Sequence, residues 1–162
     1  MSWVAGLAPA SAPGVAMTRE GARRLVQSFV RPEGPLQSPG LNAEGFGGVV
    51  MGGAQLYFEW HEDTQALECS ALVYKFHEPP KPGVLEGFQA EQQEGTDAGG
   101  GTVDYETENR SLFLSRSYTL VPDERAFAKD MKRLMKASLT WGREVLDRVA
   151  SRVFHPEELE QP

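Results

Sequence analysis

The sequence predicts one α+β domain in which helices pack on an antiparallel sheet of about five strands, and three observations support this fold class. Residues 54–76 and 102–120 alternate apolar and polar side chains with the period of two that a β-strand requires. A short polar turn divides each of these stretches, which is typical of an antiparallel hairpin. Residues 123–153 then repeat apolar side chains at helical spacing. The predicted order of elements is α-β-β-β-α-β-β-α, and the last helix is long.

The chain of 162 residues is long enough to bury one core, so we predict a single domain over residues 17–154. Residues 1–16 are rich in Ala, Pro and Gly without periodicity, which predicts a flexible leader. Residues 155–162 are predicted to be a flexible tail.

A short first helix is predicted to begin after Thr18, because the threonine hydroxyl can cap it. Its apolar residues Leu25, Val26 and Phe29 lie on one face at helical spacing. Pro32 is predicted to end this helix.

The segment GFGGVVMGG, residues 45–53, resembles a phosphate-binding loop in composition. A loop of that kind needs a strand before the glycines and a helix after them, so that amide groups point at the phosphate. Here the strand AQLYFEWH follows the glycines. We therefore predict a short first strand at residues 49–51 and a Gly-Gly turn.

The first hairpin carries apolar groups on both faces, since Leu56, Phe58 and Trp60 alternate with Tyr57 and two polar residues. Two interpretations are open. These residues pack beneath the first and last helices, or one face packs while the other binds an unfolded segment of another chain.

The C-terminal half is predicted to contain a weak helix, a second hairpin and the long helix. Residues 84–93 can form a short helix, residues 96–101 a loop, and residues 108–110 the turn of the hairpin. Asp123 is a good N-cap for the last helix, which would span roughly 45 Å if unbroken. Because this length exceeds what a small sheet requires, we expect its far end, with Gly142 as a soft point, to reach beyond the monomer core.

The net charge of −7 is unevenly distributed. Residues 123–153 hold eight Lys and Arg against five Asp and Glu, a net charge of +3 that leaves −10 on the rest of the chain. An acidic body argues against a nucleic-acid partner. No stretch approaches the roughly 18 apolar residues of a membrane helix, and the N-terminus lacks the pattern of a secretory signal, so we predict a cytoplasmic protein without membrane contact. The lone Cys69 fits a reducing compartment.

Two segments resemble the type III secretion chaperones of the Tir-chaperone (CesT-like) family. LYFEWHEDTQALECSALVYKF is similar to the second and third strands of that family, and ETENRSLFLSRSYTLVPDERAFAKDMKRLMKASLTWGREVL is similar to its closing hairpin and last helix. In the latter, a Leu-x-Leu-Ser-Arg strand leads into a helix with a late tryptophan. The matching positions are Leu112, Leu114, Ser115, Arg116 and Trp141. The YbjN-like regulators share this architecture and match about as well.

The resemblance implies a non-enzymatic chaperone or adaptor that forms a homodimer and binds an extended segment of a partner protein. It implies that the partner contacts apolar groups of the first helix and the first hairpin, namely Leu25, Val26, Phe29, Leu56, Phe58 and Trp60. The middle helix carries much of the dimer contact in that family, so the predicted dimer contacts are Val84, Leu85 and Phe88. In this chain the middle helix is short and contains Gly87.

Two other functions stay open. A YbjN-like regulatory or adaptor domain would act on a folded partner through the long helix. A small-ligand-binding protein or enzyme would use residues 45–53 or the turn at His61. The three histidines have no metal-ligand spacing, and Ser115 lies in no nucleophile elbow, so we predict no metal site, no cofactor and no catalytic residue.

Overall fold

The computed structural model describes residues 13–33 and 40–154, so the predicted tail and residues 1–12 of the predicted leader lie outside the described residues. The five strands form one antiparallel sheet in the order β1-β2-β3-β5-β4. This confirms the predicted fold class and element order. The elements are α1 (Arg19–Glu33), β1 (Phe46–Met51), β2 (Ala54–His61), β3 (Ala66–Lys75), α2 (Val84–Gln93), β4 (Thr102–Glu106), β5 (Ser111–Tyr118), α3 (Glu124–Thr140), a π-helical segment (Trp141–Val145) and α4 (Leu146–Phe154).

A two-residue turn sets the register of the first two strands. Gly52 and Gly53 have φ values of 56° and 86°, the left-handed backbone that a tight hairpin turn of this type requires. The strand before the turn is longer than predicted and begins at Phe46. The side chain of Asn42 accepts a hydrogen bond from the Phe46 amide at 2.9 Å, which anchors this earlier start.

Residues 14–17 belong to the folded domain, although most of them were expected in the leader. The Gly14 amide donates to the Val121 carbonyl, the Val121 amide donates to the Val15 carbonyl, and the Met17 amide donates to the Thr119 carbonyl, each at 2.8 Å. The segment before α1 is therefore tied to the segment before α3.

The first helix begins as predicted, because Thr18 Oγ1 accepts a hydrogen bond from the Gly21 amide at 3.0 Å. The helix ends at Glu33, one residue beyond the predicted end at Pro32.

One face of the sheet, called the inner face, is buried beneath α1 and α3. Phe29 of α1 packs edge-on against Phe58 of β2 and Phe127 of α3, with ring centroids 6.5 and 6.1 Å apart. Burial of each large apolar side chain contributes about 2 kcal/mol, so this layer is the main source of stability. The buried strand residues on this face include Val49, Ala54, Leu56, Phe58, Trp60, Leu67, Cys69, Ala71, Leu112, Leu114 and Tyr118.

The C-terminal helix is interrupted where it crosses β3. The π-helical segment contains Gly142, and a Cβ at this position would lie 2.6 Å from the Val73 carbonyl oxygen. The register between β3 and β5 shifts at the same place, between Leu72 and Tyr74. Gly142 thus lies at the break in α-helical geometry, as the sequence suggested. No helix of the described ranges is long and apolar enough to cross a membrane.

The far end of this helix packs on α2 within the chain, which corrects the expectation that it extends beyond the monomer core. Val145 and Val149 are buried. A Cβ at Gly87 of α2 would lie 2.7 Å from Val149 Cγ1, so the glycine allows the two helices to approach closely.

A buried carboxylate joins the same two helices. The Glu91 side chain is 2% exposed, and Arg148 and Arg152 each lie 2.8 Å from one of its oxygens. Thr96 donates a third hydrogen bond at 2.8 Å. The hydrogen bond from Arg148 lowers the pKa of Glu91 to about 2, although burial acts in the opposite direction.

We expect Gly142→Ala to destabilise the protein by about 1–3 kcal/mol, because the new methyl group meets a backbone carbonyl that the sheet holds in place. Gly87→Ala is the matched control. Its methyl group meets the buried Val149 side chain and no backbone carbonyl, and the better helix propensity of alanine, about 1 kcal/mol, offsets part of the crowding, so we expect the smaller loss. Urea unfolding of both variants measures the difference, and equal losses would contradict the importance of the contact with β3.

We expect Glu91→Gln to cost about 2 kcal/mol at pH 7, because the charged hydrogen bonds to both arginines are weakened. The folded-state pKa of Glu91 lies below its ordinary value, so the stabilisation is complete above about pH 4.5 and is lost as the pH falls towards 2. Urea unfolding should therefore show a smaller difference from the parent protein at pH 3 than at pH 7. The exposed Glu86→Gln should change stability by less than about 0.5 kcal/mol.

Candidate partner-binding face

The described helices lie on the inner face of the sheet or at its β4 edge, so the opposite face is uncovered. We call this opposite face the outer face. Strand alternation places on it a mixture of aromatic, acidic and small polar side chains. Its defining residues are Phe46, Val50, Tyr57, Glu59, His61, Glu68, Ser70, Leu72, Asp104, Glu106 and Phe113.

The apolar part of the outer face is exposed to solvent. Phe46 is 50% exposed, Val50 68% and Tyr57 44%, which is unusual for large apolar side chains. Tyr57 packs edge-on against Phe113 across the sheet, with ring centroids 6.0 Å apart. A groove of about 540 Å³ runs past these rings and Leu72. Its volume lies within the range of clefts that bind ligands.

Four carboxylates border this groove. Glu59 and Glu68 are directly opposite each other on β2 and β3, and Asp104 and Glu106 lie on β4. Burial raises the pKa of Asp104, and the charges of Glu68 and Glu106 raise it further. Among the described residues that line the groove, Lys75 alone carries a permanent positive charge. The groove is therefore negatively charged at neutral pH.

His61 lies between two of these carboxylates. Its Nε2 is 3.1 Å from Glu68 Oε1, and its Nδ1 is 3.8 Å from Glu59 Oε2. Burial lowers the pKa of His61, but the hydrogen bond to Glu68 and the charges of Glu59, Glu68 and Asp63 outweigh it, so the pKa is raised above its ordinary value.

The same three side chains offer donor atoms within 4.8 Å of one another, so Glu59, His61 and Glu68 are the residues that could hold a divalent cation. The two ring nitrogens of His61 face different carboxylates, however, and a metal would use only one of them. The positions of these three side chains suit an imidazole that pairs, when protonated, with a carboxylate on each side.

The serine and cysteine side chains that could act as nucleophiles near this face are hydrogen bonded or buried. The hydroxyls of Ser70 and Ser115 are hydrogen bonded to each other at 2.7 Å. Cys69 is fully buried, and burial raises the pKa of its thiol well above the ordinary value, which keeps it protonated. Neither arrangement activates a nucleophile.

The glycines of residues 45–53 allow a close backbone contact and a tight turn, and they do not form a phosphate-binding loop. Gly47 lies in close contact with the carbonyl oxygen of Gly40, which leaves no room for a side chain. Gly52 and Gly53 form the hairpin turn. The segment therefore holds the edge strand against the preceding loop.

The six residues predicted to contact a partner lie in the core. Each is at most 5% exposed, with the α1 residues facing the sheet and the β2 residues on the inner face: Leu25, Val26, Phe29, Leu56, Phe58 and Trp60. This agrees with the first of the two interpretations of the first hairpin, in which these residues pack beneath the helices. A partner could reach these side chains only if α1 moved off the sheet. The exposed large apolar residues of the outer face are instead Phe46, Val50 and Tyr57, which the sequence-based prediction did not include. Elsewhere in the described ranges, Val15, Leu120 and Phe154 are exposed as well.

The predicted dimer contacts are also used within the chain. Val84 and Phe88 are buried, and the Phe88 ring stacks on Trp141 with centroids 6.1 Å apart. Leu85 is partly buried against the core. A homodimer contact through Leu85 stays a prediction.

The Leu-x-Leu-Ser-Arg motif attaches the closing hairpin to α3. Arg116 lies 3.5 Å from Asp130 and over the Tyr118 ring at 4.9 Å. The Tyr118 hydroxyl donates to Asp130 at 2.8 Å. The late Trp141 is buried and donates from Nε1 to the Asp97 carbonyl at 2.8 Å. These residues have a structural role in this chain.

A second charged surface lies on the exposed side of α3. Five basic residues surround a shallow cavity of about 510 Å³. This basic face is formed by Arg125, Lys129, Lys132, Arg133 and Lys136.

No protein-family model and no curated protein matches this sequence. Among solved structures, the chain is similar to a chain in the crystal structure of the ExsC–ExsE complex, with a TM-score of 0.63 and 14% identity over 80% of this chain and 96% of that chain. It is also similar to a chain in the structure of the HopA1–SchA chaperone–effector complex, with a TM-score of 0.48 and 17% identity over 76% of this chain and 91% of that chain.

At this level of identity the likeness shows the fold alone. The similar chain of the ExsC–ExsE complex confirms the predicted resemblance to type III secretion chaperones as a resemblance of fold. The match to YbjN-like regulators stays a prediction.

We expect His61→Gln to destabilise the protein more at pH 5.5 than at pH 8. The folded-state pKa of His61 is raised, so the stabilisation from its protonated form is complete below about pH 6.5 and is lost as the pH rises through the folded-state pKa. Urea unfolding at both pH values measures this, with the exposed His77→Gln as the matched histidine control. A loss independent of pH would contradict a charged His61.

Proposed function

We propose that this protein is a non-enzymatic, chaperone-like protein that holds an extended segment of a partner protein on the outer face of its sheet. The observation that carries the proposal is the uncovered groove past Tyr57, Leu72 and Phe113. An exposed apolar patch with a polar border is typical of an interaction surface. The fold supports the proposal, because the similar chain of the ExsC–ExsE structure belongs to a complex of two proteins.

The edge strand β1 offers a second means of holding such a segment. Gly48 and Val50 direct backbone groups away from β2, and Val50 is exposed. The opposite edge is partly occupied, since the Val103 amide of β4 donates to Gln92 Oε1 at 2.9 Å. The loop that contains Gly40 and Asn42 covers the first part of β1, so an extended segment can pair with residues 48–50 and place alternate side chains on the outer face.

The proposal includes a homodimer in the cytoplasm, as the family resemblance implies. The outer face is left for the partner, so the dimer contact would use another surface. The reduced, buried Cys69 is compatible with a cytoplasmic location.

The basic face of α3 favours a second candidate function. A regulatory or adaptor domain that recognises a folded acidic partner would use such a surface, because opposite charges steer association. This function needs no contact at the outer face.

A photo-crosslinking amino acid at position 57 or position 129, introduced into the protein in its source cells, separates the two functions. Crosslinks at position 57 to one polypeptide, mapped to a protease-sensitive segment, support the extended-segment proposal. Crosslinks confined to position 129 of α3 support the adaptor function and contradict the first proposal.

We expect Tyr57→Asp to reduce partner capture at least tenfold while the circular dichroism spectrum stays unchanged, because this exposed side chain can be replaced without disturbing the core. Trp60→Asp, by contrast, should unfold the protein, since it places a charge in a site that is 5% exposed. If the Tyr57→Asp variant captured as much partner protein as the parent protein does, the partner would bind a surface other than the outer face.

A further inference from the structure

We infer that the segment bound on the outer face carries basic side chains on both sides of apolar ones. This inference rests on the proposed function and specifies the chemistry of the partner. It follows from the way the charged and apolar residues are distributed over the face.

The apolar residues occupy the middle of the outer face and the carboxylates lie on two sides of it. Leu72 pairs with Phe113, and the Phe113 ring contacts Tyr57, so these three form one continuous strip. Glu59 and Glu68 pair with each other on β2 and β3, one facing position along the strands from Tyr57, so they border the Tyr57 part of the strip. On the other side of the strip lies the edge strand β4, where Asp104 pairs with Phe113.

The negative charges on this face are close enough to oppose one another. The charges of Glu68 and Glu106 both disfavour ionisation of Asp104, which burial disfavours as well. On the other side of the strip, His61 contacts Glu59 and Glu68, but one imidazole offsets at most one of the two carboxylate charges, so a net negative charge remains there. Lysine or arginine side chains at both ends of a bound segment would relieve this repulsion while its apolar side chains cover Tyr57 and Leu72.

An extended segment has the dimensions to make both kinds of contact at once. Side chains at every second position point to the same side and are spaced roughly 7 Å apart. Neighbouring strands of the sheet are roughly 4.8 Å apart, so β2 and β4, with β3 and β5 between them, are separated by roughly 14 Å. Four facing side chains cover roughly 21 Å, so two apolar ones can lie over the strip while the basic ones at the ends reach past it to the carboxylates on either side.

A second copy of this chain is the competing occupant, since its basic α3 face also complements the outer face. Such a contact joins two different surfaces and continues from copy to copy, so it produces rings or open chains of molecules and no two-fold dimer. Light scattering as a function of protein concentration detects that outcome.

The test uses the whole chain and three fluorescent peptides. In each peptide the side chains meant to contact the outer face occupy every second position, and threonine separates them. The first has the core Lys-Thr-Phe-Thr-Leu-Thr-Lys, and in the other two both lysines are replaced by glutamine or by glutamate. Fluorescence anisotropy should show that the lysine peptide binds at least tenfold tighter than the glutamine peptide and that the glutamate peptide binds most weakly. The preference should weaken between 50 mM and 500 mM salt, because salt screens exposed charges.

The triple variant Glu59→Gln, Glu68→Gln and Asp104→Asn should lose the preference for lysine and keep the affinity for the glutamine peptide. The matched control removes three exposed carboxylates from α2, the loop after it and α4, through Glu86→Gln, Glu94→Gln and Asp147→Asn. It changes the net charge equally and should keep the preference. Both variants are checked by circular dichroism.

The possible results separate the inference from the proposed function. Equal binding of the lysine and glutamine peptides, abolished by Tyr57→Asp, would overturn the inferred charge pattern and leave the proposed function standing. Binding of no peptide, or binding that Tyr57→Asp leaves unchanged, would overturn the proposed function as well. Open-ended self-association, abolished both by the triple variant and by Lys129→Glu, would show that the occupant is a second copy.

Discussion

The close contact between Gly142 and the Val73 carbonyl fixes where the C-terminal helix lies on the sheet. At this contact the helix adopts π geometry, and the strand beneath it shifts register. An extra residue in one turn rotates the following helix face by about 100°. The apolar stripe of α3 therefore faces the sheet, whereas Val145 and Val149 face α2. The π-helical segment thus lets one long helix pack against the sheet with its first part and against α2 with its last part.

This packing places the helices on the inner face or at the β4 edge and leaves the outer face in contact with water. An antiparallel sheet tolerates one wet face when the side chains there satisfy one another. Ser70 pairs with Ser115, and His61 with Glu68, so the polar groups of this face are hydrogen bonded. Tyr57 and Val50 remain as exposed apolar groups that packing within the described chain does not require. Their exposure is the reason to assign a binding role to this face.

Much of the fold could be predicted from the sequence because its signals are local. Alternation in β2 and β3, the Gly-Gly turn and the Asp123 cap each depend on a few neighbouring residues, and the structure bears them out. The exposed face of the sheet was harder to predict, because alternation shows that two faces exist without showing which one the helices cover. The polar residues that share a face with Tyr57 were the one feature of the sequence that indicated the exposed face. Within the first hairpin, Leu56, Phe58 and Trp60 share their face with the apolar residues Leu67, Cys69 and Ala71.

Contacts between distant segments had no sequence signal. Glu91 lies in the polar run EQQEG, which is typical of an exposed helix end, yet it is buried against an arginine 57 residues away. The tight fit of Gly142 against β3 likewise depends on a strand that ends about 70 residues earlier. Such contacts follow from the tertiary arrangement, which the local pattern of either segment does not contain.

The carboxylates of the outer face also bear on how an exposed apolar strip can exist without aggregation. Two copies stacked through this face would bring Glu59, Glu68 and Asp104 of one copy against the same groups of the other, and such like-charge contacts are unfavourable. Edge strands and apolar sheet faces commonly associate with themselves, and charged residues at their borders prevent this. The same charges that disfavour a stacked second copy would attract the basic segment that we infer, so under this inference selectivity for a different chain and resistance to self-association arise from one set of side chains.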